Sequence, residues 1–299
     1  MPLALQWTGC DGISLEKVLP DLIGALEQDR SLDGPQHLRQ RIAALDCLDS
    51  YLLDGQPIGT ALHRRASAIY DALESVNSRL YEDIRRDIQR GAGKDRLLEW
   101  MPDWNDAANL MNCRGYDYLD ELVSGVLQFE EPSAEVIRLK SEMVPYQPTP
   151  ARHIFDLIGR TELTERDRLI DLGSGLGQVA LMASICTGAH CTGIELEPSY
   201  VDCARKSARS LNLNNVRFIQ GDARTANLSD GTVFYLYTPF IGIILRDVLN
   251  SLRQEAAKRE IRICTFGPCT RTVAEEQWLG ALGPLETDRI AVFRSRDSR

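Results

Sequence analysis

Histidine is scarce in this chain: four among 299 residues, at positions 37, 63, 153 and 190. They are too scattered to give the ligand spacing of a zinc site. Eight cysteines include no C-x-x-C pair, and the nearest, Cys186/Cys191 and Cys264/Cys269, have four residues between them. They read as free thiols, small buried hydrophobes of a reducing compartment. No run of 18 apolar residues exists, which argues against a membrane span. The greasiest stretch, Val233 to Leu245, is broken by Thr238-Pro239 and Gly242. The start of the chain has no basic region and too short an apolar core for a signal peptide, so the expected location is cytoplasmic. A basic excess is also missing. Residues 1–145 hold 25 acidic and 15 basic side chains, and residues 146–299 hold 18 and 19. The acidic front half speaks against a broad nucleic-acid footprint. What remains, 43% apolar and 26% charged residues, is the composition of a soluble globular protein long enough for two domains.

The most informative stretch is Arg168-Leu-Ile-Asp-Leu-Gly-Ser-Gly-Leu-Gly-Gln178. Its apolar run reads as a buried parallel strand. Glycines at 173, 175 and 177 allow a tight turn and close approach of a ligand to the backbone. Val179 to Cys186 reads as a helix behind them, so the whole is the strand–turn–helix corner at which α/β proteins bind ligands.

Upstream, apolar residues recur at helical spacing from Ser14, again through Leu38 to Leu52, and most clearly from Thr60 to Arg90. Weaker helical pieces surround Leu97-Leu98 and Tyr118 to Val126, so residues 1–130 are expected to form an all-helical domain. Prolines 145, 148 and 150 forbid helix and make residues 131–150 a connector. Beyond it, residues 151–299 alternate strand and helix. Strands are expected at Cys191–Ile194, Val216–Ile219, Thr232–Leu236, Ile261–Thr265 and Arg289–Phe293, with helices from Pro198 and Ile241. Such alternation means an open, mostly parallel sheet with helices on both faces.

Three acids fall at or near the ends of successive strands: Asp171, Glu195 and Asp222. A carboxylate after the second strand suits a ribose diol. A dinucleotide fingerprint requires a small residue where Gln178 stands, and the Gly-Lys-Ser/Thr of a P-loop is absent. With neither pyrophosphate signature, a ligand carrying an ammonium is favoured, because Asp171 can compensate its charge.

In order and spacing, Asp171-Leu-Gly-Ser-Gly-Leu-Gly177, Gly193-Ile-Glu195 and Gly221-Asp222-Ala223 resemble the motifs of class I S-adenosylmethionine-dependent methyltransferases. The resemblance covers about residues 145 to 299. It implies a Rossmann-like seven-stranded sheet with a reversed last hairpin, and S-adenosyl-L-methionine as cofactor, leaving S-adenosyl-L-homocysteine as product. It also implies roles: Asp171 near the amino group, Gly173, Gly175 and Gly177 along the methionine and ribose, Glu195 on the ribose hydroxyls, Asp222 and Ala223 on adenine. Ser174 and Gln178 belong to the same candidate cofactor set.

The run Asp171 to Val179, preceded by Tyr146-Gln-Pro-Thr149, also resembles the Dot-one histone-lysine methyltransferases and their bacterial relatives. There the upstream segment covers the cofactor, which makes Thr149 a cofactor candidate and Tyr146 a catalytic one. Where amine-methylating relatives have an Asn-containing stretch, this chain has Tyr237-Thr238-Pro239-Phe240. Tyr237 is the second catalytic candidate, since a tyrosine face can stabilise a sulfonium. Thr238, Pro239 and Phe240 are candidates for the acceptor pocket. Protein lysine and a small oxygen or nitrogen nucleophile both stay open as acceptor, no general base is identifiable, and oligomeric state is not legible. The competing expectation is a non-catalytic S-adenosylmethionine-binding module acting on a protein partner through its helical domain.

Overall fold

The computed structural model describes residues 15–53, 61–101, 115–130 and 142–296. The chain divides into two compact units, Met1–Ile84 and Arg85–Arg299. The first contains helices α1 (Leu15–Gln28), α2 (Leu38–Leu53) and most of α3 (Ala61–Gln89). Its core collects the apolar stripes of all three: Ile23, Leu45, Leu48, Ala66 and Leu73. Arg41 is fully buried there. Its guanidinium donates to Asn77 Oδ1 at 2.6 Å and to the backbone carbonyls of Leu32, Gly34 and Pro35.

The second unit carries α4 (Gly93–Leu98), α5 (Tyr118–Leu127), α6 (Ala151–Thr161) and the sheet. Strands β1 (Arg168–Leu172), β2 (His190–Glu195), β3 (Val216–Gln220), β4 (Val233–Tyr237), β5 (Arg262–Phe266), β6 (Leu279–Ala281) and β7 (Ala291–Ser295) lie in the order β3-β2-β1-β4-β5-β7-β6. The first five are parallel, and β7 runs antiparallel to both β5 and β6. The expected Rossmann-like sheet and its reversed hairpin are therefore present. Helices α7 (Gln178–Thr187), α8 (Pro198–Ser210), α9 (Gly242–Ala256) and α10 (Cys269–Ala274) make the crossovers. Their N-termini follow the carboxyl ends of strands, where α/β sheets bind ligands.

The central strands β1 and β4 are buried almost throughout, which suits their apolar residues on both faces and leaves Asp171 as a buried acid among them. Val248, Leu249 and Leu252 of α9 pack into the core formed with Phe234, Leu236 and Ile263. Each such side chain contributes roughly 1.5–3 kcal/mol. Two elements, α10 and β6, escaped the sequence reading, and the last strand begins at Ala291 rather than Arg289. α10 and β6 are six and three residues long, too short to develop a readable period. The domain boundary expected from the sequence lies between about 130 and 150, and its first part, residues 131–141, lies outside the described residues. Residues 85–130 group with the sheet unit. α5 is fixed by a capping box, with Asp117 as N-cap and Asp120 reaching back.

Candidate active site

The glycine turn is built as the strand–turn–helix pattern requires. Gly173 and Ser174 donate their amides to Ile194 O of β2 at 2.9 and 3.1 Å, and Gly177 closes the turn onto Ser174 O at 2.8 Å. Gly175 sits at φ +52, where a Cβ would collide with the ring of Tyr146. Gly173 likewise accommodates Pro239. The two glycines thus let protein side chains, as well as any ligand, close onto the turn. Glu195 holds the turn from the end of β2: Oε2 accepts from Gly175 N at 2.8 Å, and Oε1 from Leu196 N and Glu197 N at 2.7 and 2.9 Å.

Asp171 is wholly buried at the end of β1. Burial, and then the nearby Glu195 carboxylate, push its carboxyl up to about 8. Its register partner on β4 is Tyr235, whose hydroxyl lies 2.9 Å from Thr149 Oγ1. Ser174 Oγ is buried without a hydrogen-bond partner. Asp222, past β3, forms a two-pronged ion pair with Arg224, whose Nη2 approaches Oδ2 to 2.6 Å and whose Nε lies 3.0 Å from Oδ1. Beside it, a Cβ added to Gly221 would meet nothing within 4 Å.

Residues 145–150 cross the turn as a strap. The Tyr146 ring covers Gly175 and lies 5.2 Å from the ring of Tyr200. Burial raises its phenol well above the ordinary value, opposed by a hydrogen bond with the Leu176 backbone. Both ends of the strap are pinned. On one side Val144 N donates to Pro239 O at 3.2 Å and Ile241 N to Glu142 O at 2.9 Å, around a bridge between Met143 and Phe240. On the other, Asp120 accepts from Ala151 N at 2.7 Å, and Tyr116 Oη donates to Pro148 O at 3.0 Å.

After β4, Tyr237 stacks on Phe266 at 4.6 Å between centroids. Thr238 takes φ +38 and spends its hydroxyl on Phe266 O and Cys269 N, both at 3.1 Å. Phe240 is buried in the sheet core. His153 packs on Phe266 at 4.3 Å, and burial, then Arg152, push it down to about 4. It does not line the cavity, so the structure gives it no place in the chemistry.

One cavity of about 630 Å³ joins these parts. Thr149, Asp171, Gly173, Ser174, Gln178, Glu195, Asp222, Ala223, Tyr146, Tyr237, Thr238, Pro239 and Phe240 all line it; Gly175 and Gly177 stand behind, under Tyr146 and Phe218. Sequence reasoning missed Tyr235, Tyr200, Arg224 and Glu197. Tyr235 was recoverable only through its register with Asp171. Among the described residues no His, Cys, Asp and Glu cluster is arranged to hold a metal, and no helix is long and apolar enough to cross a membrane.

The residues fit S-adenosylmethionine. The molecule brings two cations, and Asp171 is a buried acid with another acid as its electrostatic neighbour. The unpartnered Ser174 Oγ and the space around Gly221 suit the polar groups of a nucleoside. Residues 169–259 match the family described as methyltransferase domain. The sheet, the site and that match over part of the chain agree with a methyltransferase domain that uses S-adenosyl-L-methionine as cofactor.

Over 89 residues the chain is 28% identical to ribosomal protein L11 methyltransferase of Clostridium perfringens, covering 29% of this chain and 28% of that protein. The chain thus spans under a third of the length of the curated relatives it matches. Among solved structures it is similar to an RNA methyltransferase from Salinibacter ruber in complex with S-adenosyl-L-homocysteine. That likeness has 25% identity and a TM-score of 0.43, covering 51% of this chain and 95% of that one. It is also similar to precorrin-6y C5,15-methyltransferase from Geobacter metallireducens, with 15% identity and a TM-score of 0.40, over 52% and 93% of the two chains.

Proposed function

We propose that the protein is an S-adenosylmethionine-dependent methyltransferase, with residues 1–130 as a helical N-terminal domain, 131–150 as connector and cofactor lid, and 151–299 as the catalytic domain. The observation that carries this is the single cavity in which Asp171, Glu195 and Asp222, from the ends of three adjacent parallel strands, face a strap bearing Tyr146. When bound, the cofactor would supply a methyl group activated by its sulfonium, which the acceptor's lone pair takes as sulfur leaves with the bonding electrons as the thioether of S-adenosyl-L-homocysteine. Asp171 and Glu195 hold the cationic and diol portions, Asp222 and Ala223 the base. The strap excludes water and fixes the direction of approach, so that positioning supplies most of the acceleration. Tyr146 and Tyr237 both line the cavity, and a tyrosine face beside the sulfonium would favour it by cation–π contact.

The relatives named above carry RNA and a ribosomal protein in their names, so the acidic front half does not exclude nucleic acid as an acceptor. The Dot-one likeness, and with it protein lysine, rests on Asp171–Val179 and Tyr146–Thr149 alone. Calorimetry with S-adenosylmethionine and S-adenosylhomocysteine tests the cofactor assignment: Glu195→Gln and Asp222→Ala are each expected to weaken binding at least about tenfold, the loss of a charge-assisted hydrogen bond. Unchanged affinity in both would sink it. Tight binding without any product from cell extract would favour the non-catalytic module instead.

A further inference from the structure

The two halves of the cavity differ in charge. Every ionisable acid or base in its described lining, namely Asp171, Glu195, Glu197, Asp222 and Arg224, lies on the side of β1, β2 and β3. The other side, made by residues 143–149, 235, 237–241 and 244 with Pro268, presents no Asp, Glu, Lys, Arg or His to the cavity. Its polar groups are mostly spent. Thr149 and Tyr235 bond each other, and Thr238 bonds Phe266 O and Cys269 N. Even Glu142, just outside, turns its Oε2 to the Ile244 amide at 3.2 Å, capping α9.

The same side opens outward over apolar residues. Val144, Ile241 and Ile243 are 39%, 47% and 68% exposed; the first two adjoin through the pairing of 142–144 with 239–241, and Ile243 follows in the first turn of α9. Exposed aliphatic side chains continuous with a cavity mark a ligand entrance. Among the described residues this side of the lining itself offers a primary alkylammonium no carboxylate, Glu142 standing just outside it, and offers a polyanion no cation, Arg224 lying on the side of β3. The cavity's volume of about 630 Å³ has to hold the cofactor as well, which leaves the acceptor only part of it.

We infer that the acceptor is a small, uncharged molecule with an apolar body and an oxygen or nitrogen nucleophile, entering over the Val144–Ile241–Ile243 rim. This rests on the methyltransferase reading above. The full chain is incubated with S-adenosylmethionine tritiated in the methyl group and with extract separated into organic-soluble, acid-precipitable protein and RNA fractions. Tritium is expected in the organic-soluble fraction. Label in protein or RNA instead would leave a methyltransferase standing and overturn this acceptor class alone; no label in any fraction would overturn both. Ile243→Lys and Ile241→Lys, each exposed and outside the lid at 131–150, are expected to raise KM for the organic-soluble acceptor at least tenfold. Their calorimetric affinity for S-adenosylmethionine should be that of the parent, which also shows that they fold. Parental KM in both variants would refute entry over this rim.

Discussion

Asp171 should make cofactor binding release a proton. Its carboxyl is held at about 8 in the folded protein against a reference of 3.8. At pH 7 it therefore carries a proton in about 0.9 of free molecules, and at pH 9 in about 0.1. A ligand that brings an ammonium beside it favours the carboxylate and expels that proton. Calorimetry of S-adenosylhomocysteine binding at pH 7, in two buffers of different ionisation enthalpy, should give enthalpies differing by about 0.9 of the buffer difference, shrinking toward zero at pH 9. The same group shapes stability. An acid raised on folding binds its proton more tightly in the native state, so its neutral form is the favourable one. Its cost is absent below about pH 4 and grows as pH rises through 8, to on the order of 5 kcal/mol for a shift from 3.8 to about 8. The unliganded protein should accordingly lose thermal stability between pH 5 and 8, and Asp171→Asn should flatten that slope. Equal binding enthalpies in the two buffers, or an unchanged slope in Asp171→Asn, would refute the reasoning.

The strap, the turn and the helical core give further expectations. Gly175→Ala forces a side chain into a left-handed position already covered by Tyr146, which should lower stability by about 1–3 kcal/mol and weaken cofactor binding, read together by thermal melts with and without S-adenosylhomocysteine. Asp120→Ala strips acceptors from the amides of Ala151 and Asp117; a loss of about 1–3 kcal/mol and faster cofactor dissociation in stopped flow would show that the strap is pinned there, and an unchanged off-rate would show that it is not. Arg41→Met leaves Asn77 and three carbonyls without their donor. Denaturant unfolding should show the Met1–Ile84 unit weakened by about 3–5 kcal/mol, with cofactor affinity kept. His153→Phe should leave the pH profile of cofactor binding unchanged above pH 5, because His153 is already neutral there; a shifted profile would give it a role the packing does not.

What the sequence carried was whatever is local. The turn at 173–177 and the acids at 171, 195 and 222 are each legible because one strand end fixes both the residue type and its direction. Helix α3 was legible because its 29 residues repeat an apolar stripe many times. What escaped was set by contacts across long sequence separations. Pro145, Pro148 and Pro150 announce an extended segment, yet nothing in them says that Asp120, 31 residues from Ala151, holds one end. Thr238 illustrates the same limit inside a motif. Its place between Tyr237 and Pro239 made it a candidate for touching the acceptor, but its hydroxyl is claimed by Phe266 and Cys269, residues of β5 and α10 whose approach depends on the order of the sheet. That capture changes how the site works. With Thr238 satisfied, the acceptor side loses a polar group that the linear sequence had offered, and selectivity there shifts from hydrogen bonding to shape and apolar contact. Discrimination of that kind is worth only about 1–3 kcal/mol per methylene, so the acceptor site should tolerate homologous chains more readily than it tolerates an added charge.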